Sequence, residues 1–184
     1  KYLQGYERDF IQTTKLCKMI TDQQIKMIFL SSGGTVYGNQ EIQPITEDAL
    51  PRPINHYGNV KLCIENTIRT FNYQAHTKIL IARISNPYGP GQDFNKGVGF
   101  IDAAIKKTIR SEKIEIWGDG NNVRDYIYID DVCRMLISLF YYQEDYDTFN
   151  ISSNTGTSQR DVIRMLEAMQ LAPQVEYLPA RSVD

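Results

Sequence analysis

Between residues 8 and 21 the apolar side chains Phe10, Ile11, Leu16, Met19 and Ile20 recur at roughly helical spacing with polar residues between them, which predicts an amphipathic helix. Residues 26–30 (KMIFL) then run almost continuously apolar into Ser31-Ser32-Gly33-Gly34. That is the pattern of a strand buried on both faces and ended by a small-residue loop. Pro44, Pro51 and Pro53 mark the next stretch as loop. Leu62, Ile64, Ile68 and Phe71 predict a second helix over 57–75, and residues 78–84 (KILIARI) a second buried strand, stopped by Asn86-Pro87-Tyr88-Gly89-Pro90-Gly91. Helix, strand, helix, strand requires crossovers, hence a parallel sheet.

The second half is less regular. A helix over about 99–110, a strand over 113–117 and a turn at Gly118-Asp119-Gly120 come first. Residues 124–129 (RDYIYI) alternate as a strand, and Asp130 or Asp131 can cap a helix running to about Tyr142. A short strand follows over 149–152, and Ser158 caps a helix over 159–169. No internal repeat or low-complexity tract interrupts this order, so the pattern predicts an α/β domain with a smaller appended lobe.

Composition narrows the partners. With 20 basic and 22 acidic residues the 184-residue chain carries a net charge of −2, so no global field steers it to nucleic acid or anionic lipid. The three cysteines, Cys17, Cys63 and Cys133, are odd in number and widely spaced, which suits reduced thiols in a cytoplasmic protein, packed as small core residues. No apolar run approaches the ~18 residues of a membrane span. His56 and His76 match no metal-ligand spacing. The chain opens on Lys1, without an initiator Met, inside a helical pattern, and reads as a fragment.

Candidate chemistry concentrates at Tyr57-Gly58-Asn59-Val60-Lys61, because side chains four apart share one helix face. A phenol titrates near ~10, and a cation within ~4–6 Å favours the phenolate, which would make Tyr57 a general base. A surface tyrosine and a surface lysine are the plain alternative.

Four ordered motifs carry a resemblance: Ser31-Ser32-Gly33-Gly34-Thr35-Val36-Tyr37-Gly38 after a buried strand, Tyr57-x-x-x-Lys61, Asn86-Pro87-Tyr88-Gly89-Pro90 after the next strand, and Trp117-Gly118-Asp119-Gly120 followed by the segment from Arg124 to Val132. Together they resemble the extended short-chain dehydrogenase/reductases, in the NAD-dependent epimerase/dehydratase branch that acts on nucleotide sugars, over nearly the whole chain. The resemblance implies a Rossmann-like parallel sheet with a smaller substrate lobe. It also implies NAD as cofactor, a UDP-hexose as substrate and 4-epimerisation as the reaction. Residues 1–92 would be the later part of the Rossmann domain, 93–124 substrate lobe, 125–155 a return to the Rossmann domain, and 156–184 an incomplete substrate lobe.

By the same resemblance Tyr57 takes the proton from the sugar 4-hydroxyl, while Lys61 holds the nicotinamide ribose and lowers the Tyr57 pKa. Ser31 joins the cofactor contacts. A loop hydroxyl bonds the substrate oxygen. The position that is Ser or Thr in many relatives is Gly33 here, which leaves Thr35 first and Ser32 second. Either hydroxyl could instead only satisfy loop amides. Asn86, Arg124 and Arg181 would hold the diphosphate, a task suited to guanidinium forks, and Trp117 and Val98 the nucleobase. A turn-forming asparagine, surface ion pairs and ordinary core packing are the respective alternatives.

Three departures shape the expectation. Dehydratase relatives carry Asp-Glu where this chain has Gly34-Thr35, and neither residue exchanges protons with a substrate carbon, so dehydration is disfavoured. No glycine-rich dinucleotide motif is present, and Asp9 stands near a position that is often Asn. A same-family reductase or synthase is the nearest rival, and a sugar-nucleotide-binding regulatory protein without turnover the rival from another class. The helices over 8–21 and 57–75, with Phe10, Leu16, Ile64, Ile68 and Phe71, are expected to pair across a two-fold axis in a homodimer.

Overall fold

The computed structural model describes residues 2–93 and 99–180. The chain divides into two compact units, one running to Ser85 and resuming over Asp130–Ile151, the other holding Asn86–Ile129 and the described residues from Ser152. The chain therefore crosses between units after Ser85, Ile129 and Ile151, where the sequence reading has the crossings after 92, 124 and 155.

In the first unit a parallel sheet of β1 (Met27–Ser32), β2 (Ile79–Ile84) and β6 (Thr148–Ile151) has the order β1-β2-β6, with Met27 opposite Ile79 and Ser32 opposite Ile84. The short helix α1 (Tyr2–Gln4) and a π-helical stretch (Gly5–Phe10) lead into α2 (Ile11–Asp22). Next come α3 (Gly33–Val36), α4 (His56–Ala75) and, after the excursion into the second unit, α6 (Ile129–Phe140). Val60, Ile64 and Ile68, spaced four apart, form a stripe down α4 and pack with Cys17 and Ile20 of α2 on Ile79 and Ile81 of β2. Each such isoleucine contributes ~1.5–3 kcal/mol of burial against ~1 kcal/mol for the Asn55 cap. The stripe therefore anchors α4, and the cap sets where it begins.

Three expectations change here. β2 lies between two strands and is buried, whereas β1, read as buried on both faces, is only partly buried among the described residues, with Leu30 exposed. Ile64 and Ile68 belong to the core of their own unit rather than to an outward face; on α2 it is Ile11, Leu16 and Met19 that stay exposed. Cys17 is core, Cys63 is half-buried and Cys133 is exposed on α6, and all three are free thiols. α6 starts at Ile129, which puts Asp130 and Asp131 in its first turn, at the positive end of the dipole.

The second unit holds β3 (Asn86–Tyr88) parallel to β5 (Val123–Tyr128), which pairs antiparallel with β7 (Gly156–Ser158). A separate parallel pair joins β4 (Lys113–Trp117) to β8 (Gln174–Leu178). Ile114 and Ile116 alternate inward from β4 onto α5 (Phe100–Ile109) and α7 (Gln159–Ala168), packing on Ala104, Ile163 and Leu166. Ser158 caps α7 as expected, and Asp161 returns the bond to the Ser158 N–H, a complete capping box. No helix among the described residues is long and apolar enough to cross a membrane.

Candidate active site

Asn55 accepts the Gly58 N–H at 2.8 Å and so starts α4 at His56, which puts Tyr57 in the first turn and Lys61 one turn further on. Gly58 is required by proximity: a Cβ there would lie 2.5 Å from the Thr35 carbonyl oxygen. α3 therefore abuts the first turn of α4, beside Tyr57. The Thr35 hydroxyl is buried and has no hydrogen-bond partner among the described residues. Ser32 occupies the N-cap position of α3 but its hydroxyl caps no amide. Ser31 is buried and donates to Glu65 Oε1 at 2.5 Å, so its hydroxyl is committed to the scaffold rather than offered to a cofactor.

Tyr57, 55% exposed, and Lys61 share the wall of a cavity of about 420 Å³ with Gly5, Asp9, His56, Val60 and Ile64. Lys61 Nζ donates to the Leu30 carbonyl at 2.9 Å and lies 4.9 Å from the Phe29 ring centre and 5.6 Å from that of Tyr57. The expectation that Lys61 lowers the Tyr57 pKa is not met. Partial burial and then the charge of Asp9 push the phenol above its ordinary value. Burial pushes the Lys61 ammonium down, opposed by Asp9 and Glu65. Lys61 directs its charge at a carbonyl and two ring faces, while the π-helical stretch brings a carboxylate to the same wall. Burial first and Asp9 second thus both favour the protonated phenol of Tyr57.

In the second unit Asn86 and Arg124 line a cavity of about 220 Å³. Asn86 Nδ2 donates to the Asp125 carbonyl at 2.8 Å. Arg124 Nη1 donates to Asn122 Oδ1 at 2.6 Å and to the Val123 carbonyl at 3.0 Å. Both bonds leave from one nitrogen, so the other edge of the guanidinium bonds no described residue. The Asp125 carboxylate accepts the Ser153 and Thr155 N–H groups at 2.9 and 3.2 Å, which fixes the loop behind the cavity. Tyr88, Phe100, Asn122, Tyr126 and Gln159 also line it, and the sequence reading missed all five. Tyr126 was within reach, since it stands two residues from Arg124 on the same face of β5. Trp117 ends β4, is 39% exposed and is not among the described residues lining this cavity. Val98 and Arg181 lie outside the described residues.

Comparison with known proteins gives the family of the chain. Residues 3–152 match the model of the "NAD dependent epimerase/dehydratase family". The dTDP-4-dehydro-6-deoxyglucose reductase of Escherichia coli is 36% identical over 142 residues, which are 77% of this chain and 45% of that protein. The crystal structure of UDP-glucose 4-epimerase from Thermotoga maritima with UDP-glucose superposes with a TM-score of 0.92 at 30% identity, over 100% of this chain and 60% of that one. That of the Thermus thermophilus UDP-glucose 4-epimerase in complex with NAD gives 0.86 at 26% identity, over 97% and 60%. The chain spans about half the length of the curated relatives it matches.

Proposed function

The chain belongs to the NAD dependent epimerase/dehydratase family, and from that premise we propose that it carries the proton-transfer centre and nucleotide lobe of a UDP-hexose 4-epimerase. One observation carries the reading: Tyr57 and Lys61 line one cavity a helical turn apart, and α3, with the unpartnered Thr35 hydroxyl, packs on that same turn. A phenol, an ammonium and an orphaned hydroxyl form a donor set that fits the ribose end of a nicotinamide dinucleotide beside an alcohol. NAD, when bound, supplies the hydride acceptor and donor for the sugar carbon.

The chain's own residues do the rest. Tyr57 holds or returns the proton at the sugar 4-oxygen. The Thr35 hydroxyl bonds the same oxygen and fixes its direction, with Ser32 as the second candidate. Lys61 would hold the ribose hydroxyls of the cofactor. Arg124 and Asn86 hold the diphosphate, a planar fork and an amide suiting phosphate oxygens. Gly34-Thr35 offers no carboxylate for eliminating water. The relatives carry both reductase and epimerase names, and both reactions use this proton-transfer set; epimerisation is preferred on the likeness to the UDP-glucose 4-epimerases, and dependence on added reductant separates the two. A homodimer through α2 and α4, in the cytoplasm, completes the reading, with exposed Ile11, Leu16 and Met19 as the contact stripe.

The test is Tyr57→Phe in the intact protein. Interconversion of UDP-hexose 4-epimers without added reductant should fall by roughly 10²–10⁴ while the fold is kept. Turnover like that of the wild type, or strict dependence on stoichiometric reduced cofactor in the wild type, refutes the proposal.

A further inference from the structure

We infer that Arg83, acting through Glu65 and Tyr37, is a positioning residue that locks α3 against α4 and so holds Thr35 against the turn that carries Tyr57. The catalytic consequence rests on the function proposed above; the lock itself does not.

Arg83 projects from β2 and is 2% exposed, and Glu65 on α4 is fully buried. The guanidinium grips the carboxylate with two nitrogens, Nη2 to Oε2 at 2.7 Å and Nε to Oε1 at 3.1 Å. Its remaining nitrogen, Nη1, donates to the Tyr37 hydroxyl at 2.8 Å. Tyr37 is the C-cap of α3, two residues beyond Thr35. One rigid planar group thus spans the two elements whose contact builds the site, which a point-charge ammonium does not do.

Position along α4 strengthens the case. Tyr57, Lys61 and Glu65 follow one another at intervals of four, so they share a face. Lys61 bonds the Leu30 carbonyl and Glu65 accepts from Ser31, so two successive residues of β1 hold two successive turns of α4. Ser31 is also the ladder partner of Arg83, and both side chains converge on one carboxylate. The Tyr37 hydroxyl in turn donates to Asn150 Oδ1 on β6 at 2.6 Å, which fixes its direction. A buried ion pair of this kind is often no more stable than an apolar set of equal volume. What it adds is angular: apolar side chains let a helix slide or rotate, and a forked pair does not.

Tyr37→Phe in the intact protein keeps the ring, which stacks 4.7 Å from the guanidinium, and cuts the hydroxyl's two bonds, from Arg83 and to Asn150, leaving the Arg83–Glu65 pair in place. Turnover should fall roughly 10–100-fold with the KM for UDP-hexose changed by no more than about twofold, because misplacement by about 1 Å acts on the chemical step. Amide exchange over residues 35–37 and 58–61 should rise roughly tenfold, with β2 unchanged. Ile68→Val serves as a matched loss in the α4 core and should leave both turnover and α3 exchange as they were. Arg83→Lys keeps the charge and loses the span, so it should repeat the exchange pattern should Tyr37→Phe not fold. Unchanged exchange in the folded variant overturns the lock. Raised exchange with unchanged turnover, or an equal turnover loss in Ile68→Val, overturns the positioning role. A wild type without epimerase activity refutes the function proposed above and leaves the exchange result to decide the lock.

Discussion

Replacing Thr35 by Val separates stability from function at one atom. Thr35 Oγ1 has no solvent contact and no partner among the described residues, so in the free protein it carries the cost of a dehydrated hydroxyl, ~1–3 kcal/mol. Valine has the same branched shape with a methyl in that place, and burying the methyl contributes up to ~0.8 kcal/mol more. With some relaxation around the site the variant should be more stable by about 1–3 kcal/mol, which at ~2–4 °C per kcal/mol raises Tm by roughly 2–12 °C. Turnover should move the other way, falling by roughly 10²-fold or more, as expected when a preorganised hydrogen bond to the reacting oxygen is removed. Thermal unfolding and turnover, measured on one preparation of the intact protein, read both effects. A variant that melts at or below the wild type shows that the hydroxyl is already paired in the free protein. Turnover within about twofold of the wild type shows that it does not meet the reacting oxygen, and passes the role to Ser32.

Two further outcomes follow from charge. Asp9→Asn removes the carboxylate that raises Tyr57 and also raises Lys61, so the pH–rate profile of kcat/KM should move to lower pH on both limbs: the phenol ionises earlier and the ammonium is lost earlier. A profile that stays in place shows that Asp9 does not act on the pair. Arg124→Ala should raise the KM for the nucleotide sugar far more than it lowers kcat, since a diphosphate is held equally in ground and transition states; a kcat loss with unchanged KM refutes that role.

The parts of this molecule that were legible in the sequence are those decided locally. The stripe Val60, Ile64, Ile68 announces α4 by its spacing, and KILIARI announces β2, because a central strand shows its burial in its composition. α3 spans four residues and β3 three, too short for any period to accumulate, so Gly33–Val36 and Asn86–Tyr88 read as loop. Trp117 stands apart for another reason. Ile114 and Ile116 point inward from β4, and the same alternation puts Trp117 on the face of Lys113 and Glu115, so its side of the strand was legible from the sequence. Ser31 and Tyr57 mark the true limit. Whether the Ser31 hydroxyl is free depends on Glu65, which helix α4 brings back from 34 residues away. The sign of the field at Tyr57 depends on Asp9, which no spacing rule connects to Tyr57-x-x-x-Lys61. A motif specifies which groups a helix presents on one face. The titration of those groups is shifted by whatever the rest of the chain packs against that face, here by burial first and then by the carboxylate that a π-helical stretch delivers.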